Sequence, residues 1–231
     1  MRKLVGWIAT IWIALAGAAA AQDHPVVVEL FTSQGCSSCP PADQLLGELA
    51  RRDDVIALAL HVDYWDYIGW KDVFAQAGFT KRQKAYAAAA GHRSIYTPQM
   101  VVQGTEDVVG NRRMDVADLI RKHESQRLPV LVELARNGSE LVISARALRS
   151  AGPADIHLVR YEPETVVAIK RGENAGRTLT YHNVVTDWRV LGRWDGQGTY
   201  KARLPISGPR PLVVLVQRAG HGPILAAARL R

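Results

Sequence analysis

The stretch Val26-Val27-Val28-Glu29-Leu30-Phe31-Thr32-Ser33-Gln34-Gly35-Cys36-Ser37-Ser38-Cys39-Pro40-Pro41 decides how the chain is read. Val26 to Phe31 is an apolar run broken only by Glu29, the pattern of a parallel strand buried on both faces. Thr32 to Gly35 turn the chain. Beyond the cysteines, Ala42, Leu45, Leu46 and Leu49 recur at helical spacing. Pro40 and Pro41 suit the first turn of such a helix, where a missing N–H is tolerated. Val55 to Val62 is a second buried strand, so the unit is strand, helix, parallel strand with a right-handed crossover. The two cysteines are thereby placed at a helix N-terminus.

Working outward, Asp63-Tyr64-Trp65-Asp66-Tyr67-Ile68-Gly69-Trp70 is an aromatic loop leaving the same carboxyl edge of the sheet, so it and the cysteine loop rim one crevice. Its rings suit either an apolar substrate segment or packing of two domains against each other. Thr80 with Gln83 forms a capping box for an Ala-rich helix that Gly91 closes. Tyr96-Thr97-Pro98-Gln99 leads into a strand at Met100 to Val102, and a helix follows from about Asp115 to His123. From Pro129 the period becomes strand-like. Val130 to Ala135 and Glu140 to Ala145 flank Asn137-Gly138, a strong hairpin signal. Further strands are expected at Ile156 to Tyr161, Thr165 to Lys170, Thr199 to Leu204, Leu212 to Gln217 and Ile224 to Leu230. This change of period predicts a boundary near Gln126 to Pro129, with an α/β domain over 22–127 and an all-β, sandwich-like domain over 128–231.

At the start of the chain, Arg2 and Lys3 precede the apolar run Leu4 to Leu15 and the small residues Ala16 to Ala21. That is the layout of a secretory signal peptide over 1–21, with cleavage near Ala21 or Gln22 and no stable membrane span afterwards. Removing Arg2 and Lys3 lowers the formal charge from +7 to +5. The remaining basic residues alternate with acidic ones rather than forming a stripe, which argues against nucleic-acid binding.

The chain has two cysteines, three positions apart. A disulfide stabilises by closing long loops, so a pair this close calls for a chemical explanation. At a helix N-terminus the positive end of the dipole favours a thiolate, which makes Cys36 the nucleophile and Cys39 the resolving thiol. No motif calls for a cofactor. A different reading uses the two thiolates with His61 or His92 to hold soft Cu(I). A third treats the β-rich half as a binding module and the cysteines as vestigial.

The order strand, CxxC, helix, strand, helices, then Thr97-Pro98 opening a strand resembles the thioredoxin superfamily over about Val26 to Glu124. That resemblance implies a thioredoxin-like N-terminal fold, a cis Thr97–Pro98 bond opposite the cysteines, and Thr97 presenting its backbone to a substrate peptide. In the superfamily a buried acid near the strand end takes the proton from the second cysteine, a role that Glu29 resembles; a partly solvated or paired strand glutamate is the plainer reading of the same residue. Tyr64 and Trp65 fall beside this substrate position. The segments Val27 to Cys36, His61 to Asp66, Tyr96 to Val102 and Arg171-Gly172-Glu173-Asn174 are similar to a family of secreted bacterial proteins known as domain of unknown function 1223. Together these imply a periplasmic or secreted thiol–disulfide oxidoreductase or redox partner, acting on proteins or small thiols and disulfides of the cell envelope.

Overall fold

Val26–Thr32 (β1) and Val55–His61 (β2) pair in parallel with Val26 opposite Val55 and Thr32 opposite His61, and every residue of both strands is buried. Pro40–Leu49 (α1) makes the crossover between them. The computed structural model describes residues 24–231, so the expected leader over 1–21 lies outside the described residues. Ala77–Ala89 (α2) follows, then Gln99–Val102 (β3) antiparallel to β1, Glu106–Val109 (β4) antiparallel to β3, and Arg113–Glu124 (α3). The Asn137-Gly138 turn joins Val130–Asn137 (β5) to Glu140–Ala147 (β6), with Gly138 at φ +61°. Ala154–Ala168 (β7) and Thr178–Trp194 (β8) form a long antiparallel ribbon. Thr199–Pro205 (β9), Leu212–Arg218 (β10) and Ile224–Leu230 (β11) complete the chain.

The sheet order is β11-β10-β7-β8-β2-β1-β3-β4, with β5-β6-β9 as a separate three-stranded sheet. This overturns the expected thioredoxin-like α/β domain followed by an independent all-β sandwich. β8 pairs in parallel with β2, so four strands of the second half complete the sheet begun by the first. Only β5, β6 and β9 form a layer of their own, and they pack on the β7, β10 and β11 end through Val130, Leu141, Ile143, Ile156, Val214 and Leu225.

The join between β2 and β8 is made at Ala59 opposite Val184. Beside it Asn183 adopts φ +48°, a left-handed conformation that Asn tolerates, and its amide donates to the Ala57 carbonyl. α1 approaches β8 closely enough that a Cβ on Gly47 would lie 2.3 Å from the His182 ring.

Alternation along β1 sends Val28 and Leu30 towards α1 and α3, and Val27, Glu29 and Phe31 towards α2. Glu29, fully buried, receives two bonds from the Arg82 guanidinium at 2.6 and 2.8 Å and one from the Tyr86 hydroxyl at 2.7 Å. Arg82 also donates to Gln217 on β10 and lies 4.0 Å from the Trp188 ring of β8. One cation thus ties α2 to three strands. Among the described residues no helix is long and apolar enough to cross a membrane.

Two outcomes follow from this packing. Replacing Arg82 by Leu strands a buried carboxylate and lowers stability by roughly 3–5 kcal/mol in urea unfolding. A chain ended at Arg127 leaves the apolar β2 without β8 beside it, and circular dichroism and gel filtration are expected to find it unfolded or aggregated.

Candidate functional site

Cys36 and Cys39 are joined as a disulfide at the N-terminus of α1, with Cys39 as the N-cap and the two prolines in the first turn. Neither residue exposes any surface, whereas Ser37 and Ser38 between them are exposed. The Ser38 hydroxyl lies 3.8 Å from the Cys36 sulfur. The backbone around the pair is already committed. The Cys36 N–H donates to the Ser33 carbonyl, the Cys39 N–H to the Cys36 carbonyl, and the Ala42 and Asp43 N–H groups to the Cys39 carbonyl.

The aromatic loop does share a rim with the cysteines. A Cβ on Gly35 would lie 3.1 Å from the Trp65 Cβ and 3.2 Å from Ile68, so the glycine lets this loop rest on the cysteine turn. The Trp65 indole donates to the Thr97 hydroxyl at 2.8 Å, and the Tyr64 hydroxyl donates to Gln83. The Thr97–Pro98 bond is cis. Trp65, Thr97 and Pro98 are therefore gathered on the cysteine side. Glu29 is not. It faces α2 across the sheet, held by Arg82 and Tyr86, and does not meet the cysteines. The alternative set of Cys36, Cys39 and His61 is not assembled either: the cysteines are bonded to each other, and His61 Nδ1 is 2.7 Å from Asp72. Among the described residues no three His, Cys, Asp or Glu side chains are placed to hold a metal ion.

Three carboxylates bond to the cysteine turn or the residues that flank it, and the sequence reading passed over two of them, Asp43 and Asp72. Asp72 is a hub: it accepts the Gln34 N–H at 2.8 Å, the Phe74 N–H at 2.8 Å and the His61 ring. Burial raises its proton affinity, but His61 and the two amides outweigh that and hold its carboxyl below the usual range. Asp43, four residues after Cys39 on α1, accepts the Thr32 hydroxyl at 2.8 Å through one oxygen, while its other oxygen has no partner. Its carboxyl is pushed up to about 7 by burial, against the opposing pull of His61 and Thr32 and with a further push from Asp72. His61 Nε2 and the Tyr181 hydroxyl are likewise buried without a partner. Burial and the Asp43 and Asp72 charges raise the Tyr181 phenol. A groove between α1 and β8 is bordered by Asp43, Arg177 and His182.

The third carboxylate arrives from the loop between β7 and β8. Asn174, buried, donates its amide to the Gln34 and Cys36 carbonyls, both at 2.9 Å, and accepts from Arg177, which fixes the amide orientation. Glu173 accepts the Ser37 N–H at 3.1 Å, and this contact with Ser37 holds its carboxyl below the usual range. Gly172 takes φ +77°, with the position of a Cβ only 3.2 Å from the Trp70 Cβ, so the loop tip lies against the aromatic loop. The sequence signal for this contact was the Arg171-Gly172-Glu173-Asn174 stretch, which marked the loop without saying what it touches.

Asp43 makes the stability of the fold depend on pH. An acid whose folded pKa lies above its unfolded value binds more protons folded than unfolded, so stability falls as pH rises between about 3.8 and about 7. The full span is worth up to about 4 kcal/mol. Asp43→Asn, neutral throughout, is expected to gain on the parent across that window in denaturant titrations at a series of pH values. Parallel pH profiles for the two proteins would contradict it.

A crystal structure of an Agrobacterium tumefaciens protein is similar at 36% identity, with a TM-score of 0.77 over 89% of this chain and 93% of that one. HBP35 of Porphyromonas gingivalis shares the fold at 16% identity, with a TM-score of 0.63 over 90% of this chain and 74% of that one. None of the curated proteins matches the chain. The family whose model matches residues 27–217 is described as a protein of unknown function (DUF1223), and the chain belongs to it.

Proposed function

We propose that this is an exported thiol–disulfide exchange protein whose reacting group is the Cys36–Cys39 pair, with proteins or small thiols of the cell envelope as its partners. The observation that carries this reading is the placement of the bond. The two cysteines of the chain are joined across two residues at the N-terminus of α1. A loop that short removes little entropy from the unfolded chain, so the bond contributes chemistry rather than stability. A disulfide also suits an oxidising compartment, in keeping with the signal-like segment of Arg2, Lys3 and the apolar run after them.

In the exchange, a partner thiolate attacks the Cys36 sulfur, the bond to Cys39 breaks, and Cys39 leaves as a thiolate that takes up a proton. A second thiol of the partner then attacks the mixed disulfide and releases Cys36. Two electrons and two protons pass from the partner dithiol to the pair, and oxidation of a partner runs in this direction. Reduction of a partner disulfide is the reverse sequence, started by the Cys36 thiolate and closed by Cys39. Because Cys36 is fully buried, either attack needs local movement of the exposed Ser37-Ser38 turn. Trp65, Thr97 and Pro98, with Tyr64 beside them, would receive the partner segment next to that turn.

The decisive variant is Cys39→Ser in the mature chain, expressed in its own cell envelope. With the resolving thiol gone, mixed disulfides on Cys36 are expected to survive denaturation and to disappear on reduction. Cys36→Ser is expected to trap nothing. Absence of adducts from both variants would remove the exchange reading.

A further inference from the structure

The N-terminus of α1 is unusual in how few amide donors it keeps for an anion. A helix start ordinarily presents several free N–H groups, and these stabilise a thiolate placed there. Here Pro40 and Pro41 have none, and the N–H groups of Cys36, Cys39, Ala42 and Asp43 are spent on backbone carbonyls. That leaves the amides of Ser37 and Ser38, with the Ser38 hydroxyl 3.8 Å from the Cys36 sulfur, as the donors of the turn not spent on backbone carbonyls. One of them is taken. The Ser37 N–H donates to the Glu173 carboxylate at 3.1 Å, across a separation of 136 residues in the chain.

The arrangement is built, not incidental. Asn174, next to Glu173, is buried and clamps the Gln34 and Cys36 carbonyls on either side of Gly35, while Arg177 fixes its amide. Within the loop, the Ile169 and Arg177 backbones pair with one another, the Gly176 N–H donates to Ile169, and the Ala175 N–H donates to Gly172. Glu173 is therefore delivered to Ser37 on a fixed scaffold. Its negative charge sits beside the place where a negative sulfur would form, and it occupies a donor that the sulfur would otherwise use.

We propose that Glu173 is a positioning residue that sets how oxidising the Cys36–Cys39 pair is, by holding the Ser37 N–H and opposing charge on Cys36. This rests on the exchange reading given above. The direction is fixed by the physics: an acceptor and a like charge both disfavour the thiolate, so they destabilise the reduced form at neutral pH and favour the bonded form. Removing Glu173 frees the amide and the charge together. The pair then becomes easier to reduce, and Cys36 ionises at lower pH.

The test uses the mature full-length chain with Glu173→Gln and Glu173→Ala, and Glu173→Asp as the conservative variant. Two quantities are read: the pH at which thiolate absorbance appears in the reduced protein, and the equilibrium between dithiol and disulfide in glutathione buffers. Both Gln and Ala variants are expected to show thiolate at lower pH and an equilibrium moved roughly three- to tenfold towards the dithiol, a shift of about 15–30 mV for a two-electron couple. Asp is expected to recover part of the parental behaviour. Added salt is expected to shrink the difference between parent and Gln variant, because an exposed charge is screened; a loop that merely loosened would give no such salt dependence. Unchanged thiolate onset in Glu173→Ala overturns the proposal whatever the parent does in glutathione. A parent pair that never equilibrates with glutathione, while the thiolate onset still moves in the variant, removes the exchange reading but keeps the role of Glu173.

Discussion

Ala59 of β2 lies opposite Val184 of β8, and the Asn183 amide closes the same join on the Ala57 carbonyl. The rest of the molecule depends on that docking. β2 is buried along its whole length, so without a neighbour it would be an apolar edge with unpaired backbone groups. β8 supplies the neighbour and brings β7 with it. At one end the ribbon continues into β10 and β11, and the three-stranded sheet packs there. At the other end its connecting loop reaches the cysteine turn. Seventeen residues at roughly 3.3 Å each give β8 a contour of about 55 Å, enough to serve both ends.

The buried pair of Glu29 and Arg82 works on the opposite face. Arg82 satisfies a carboxylate on β1 and a carboxamide on β10 and stacks near a ring on β8, so α2 cannot settle until strands from both halves are in place. The desolvation cost of two charges is offset only when this full set of partners is present. Such a pair specifies one arrangement of α2 more than it adds stability, and it explains why a glutamate interrupts an otherwise apolar strand.

Much of the chain was legible because its signals are local. The β1–α1–β2 unit, the cysteines at the helix start, the Asn137-Gly138 hairpin and the strand at Ile224 to Leu230 all follow from short-range pattern. β8 escaped because Thr178 to Trp194 neither alternates nor runs apolar: its surroundings change from a two-stranded ribbon to the middle of a sheet along its length. Pro163 made one strand look like two. Beyond Arg160 no β10 residue lies opposite β7, so a missing N–H breaks no ladder on that side. With β8 unseen, the change of period near Pro129 read as a domain boundary. In the site, Trp65 and Thr97 were legible because one follows the end of β2 and the other leads into β3. Asp72 meets His61 through a loop, and Asn174 meets Cys36 across 138 residues, distances over which sequence pattern carries no register.

The charges around the disulfide oppose one another. The positive end of α1 favours an anion at the cysteines, but the two prolines remove donors from its first turn. Asp43 accepts from Thr32 and Asp72 from Gln34, just before the turn, and Glu173 accepts from Ser37 within it. Asp72 is neutralised in effect by His61 and two amides, whereas Asp43 has one hydroxyl partner and answers its burial by holding a proton up to about 7. A closed disulfide adds no charge to this set. Opening it places a thiolate among carboxylates, and each neighbouring negative charge raises the cost of that step. For the exchange chemistry proposed here, the resting place of the electrons is set by the balance between a weakened helix end and the carboxylates brought to it by α1, the aromatic loop and the β7–β8 loop. Two of those three groups come from segments remote from the cysteines in sequence, so the short Cys36–Cys39 motif does not by itself determine what the pair does.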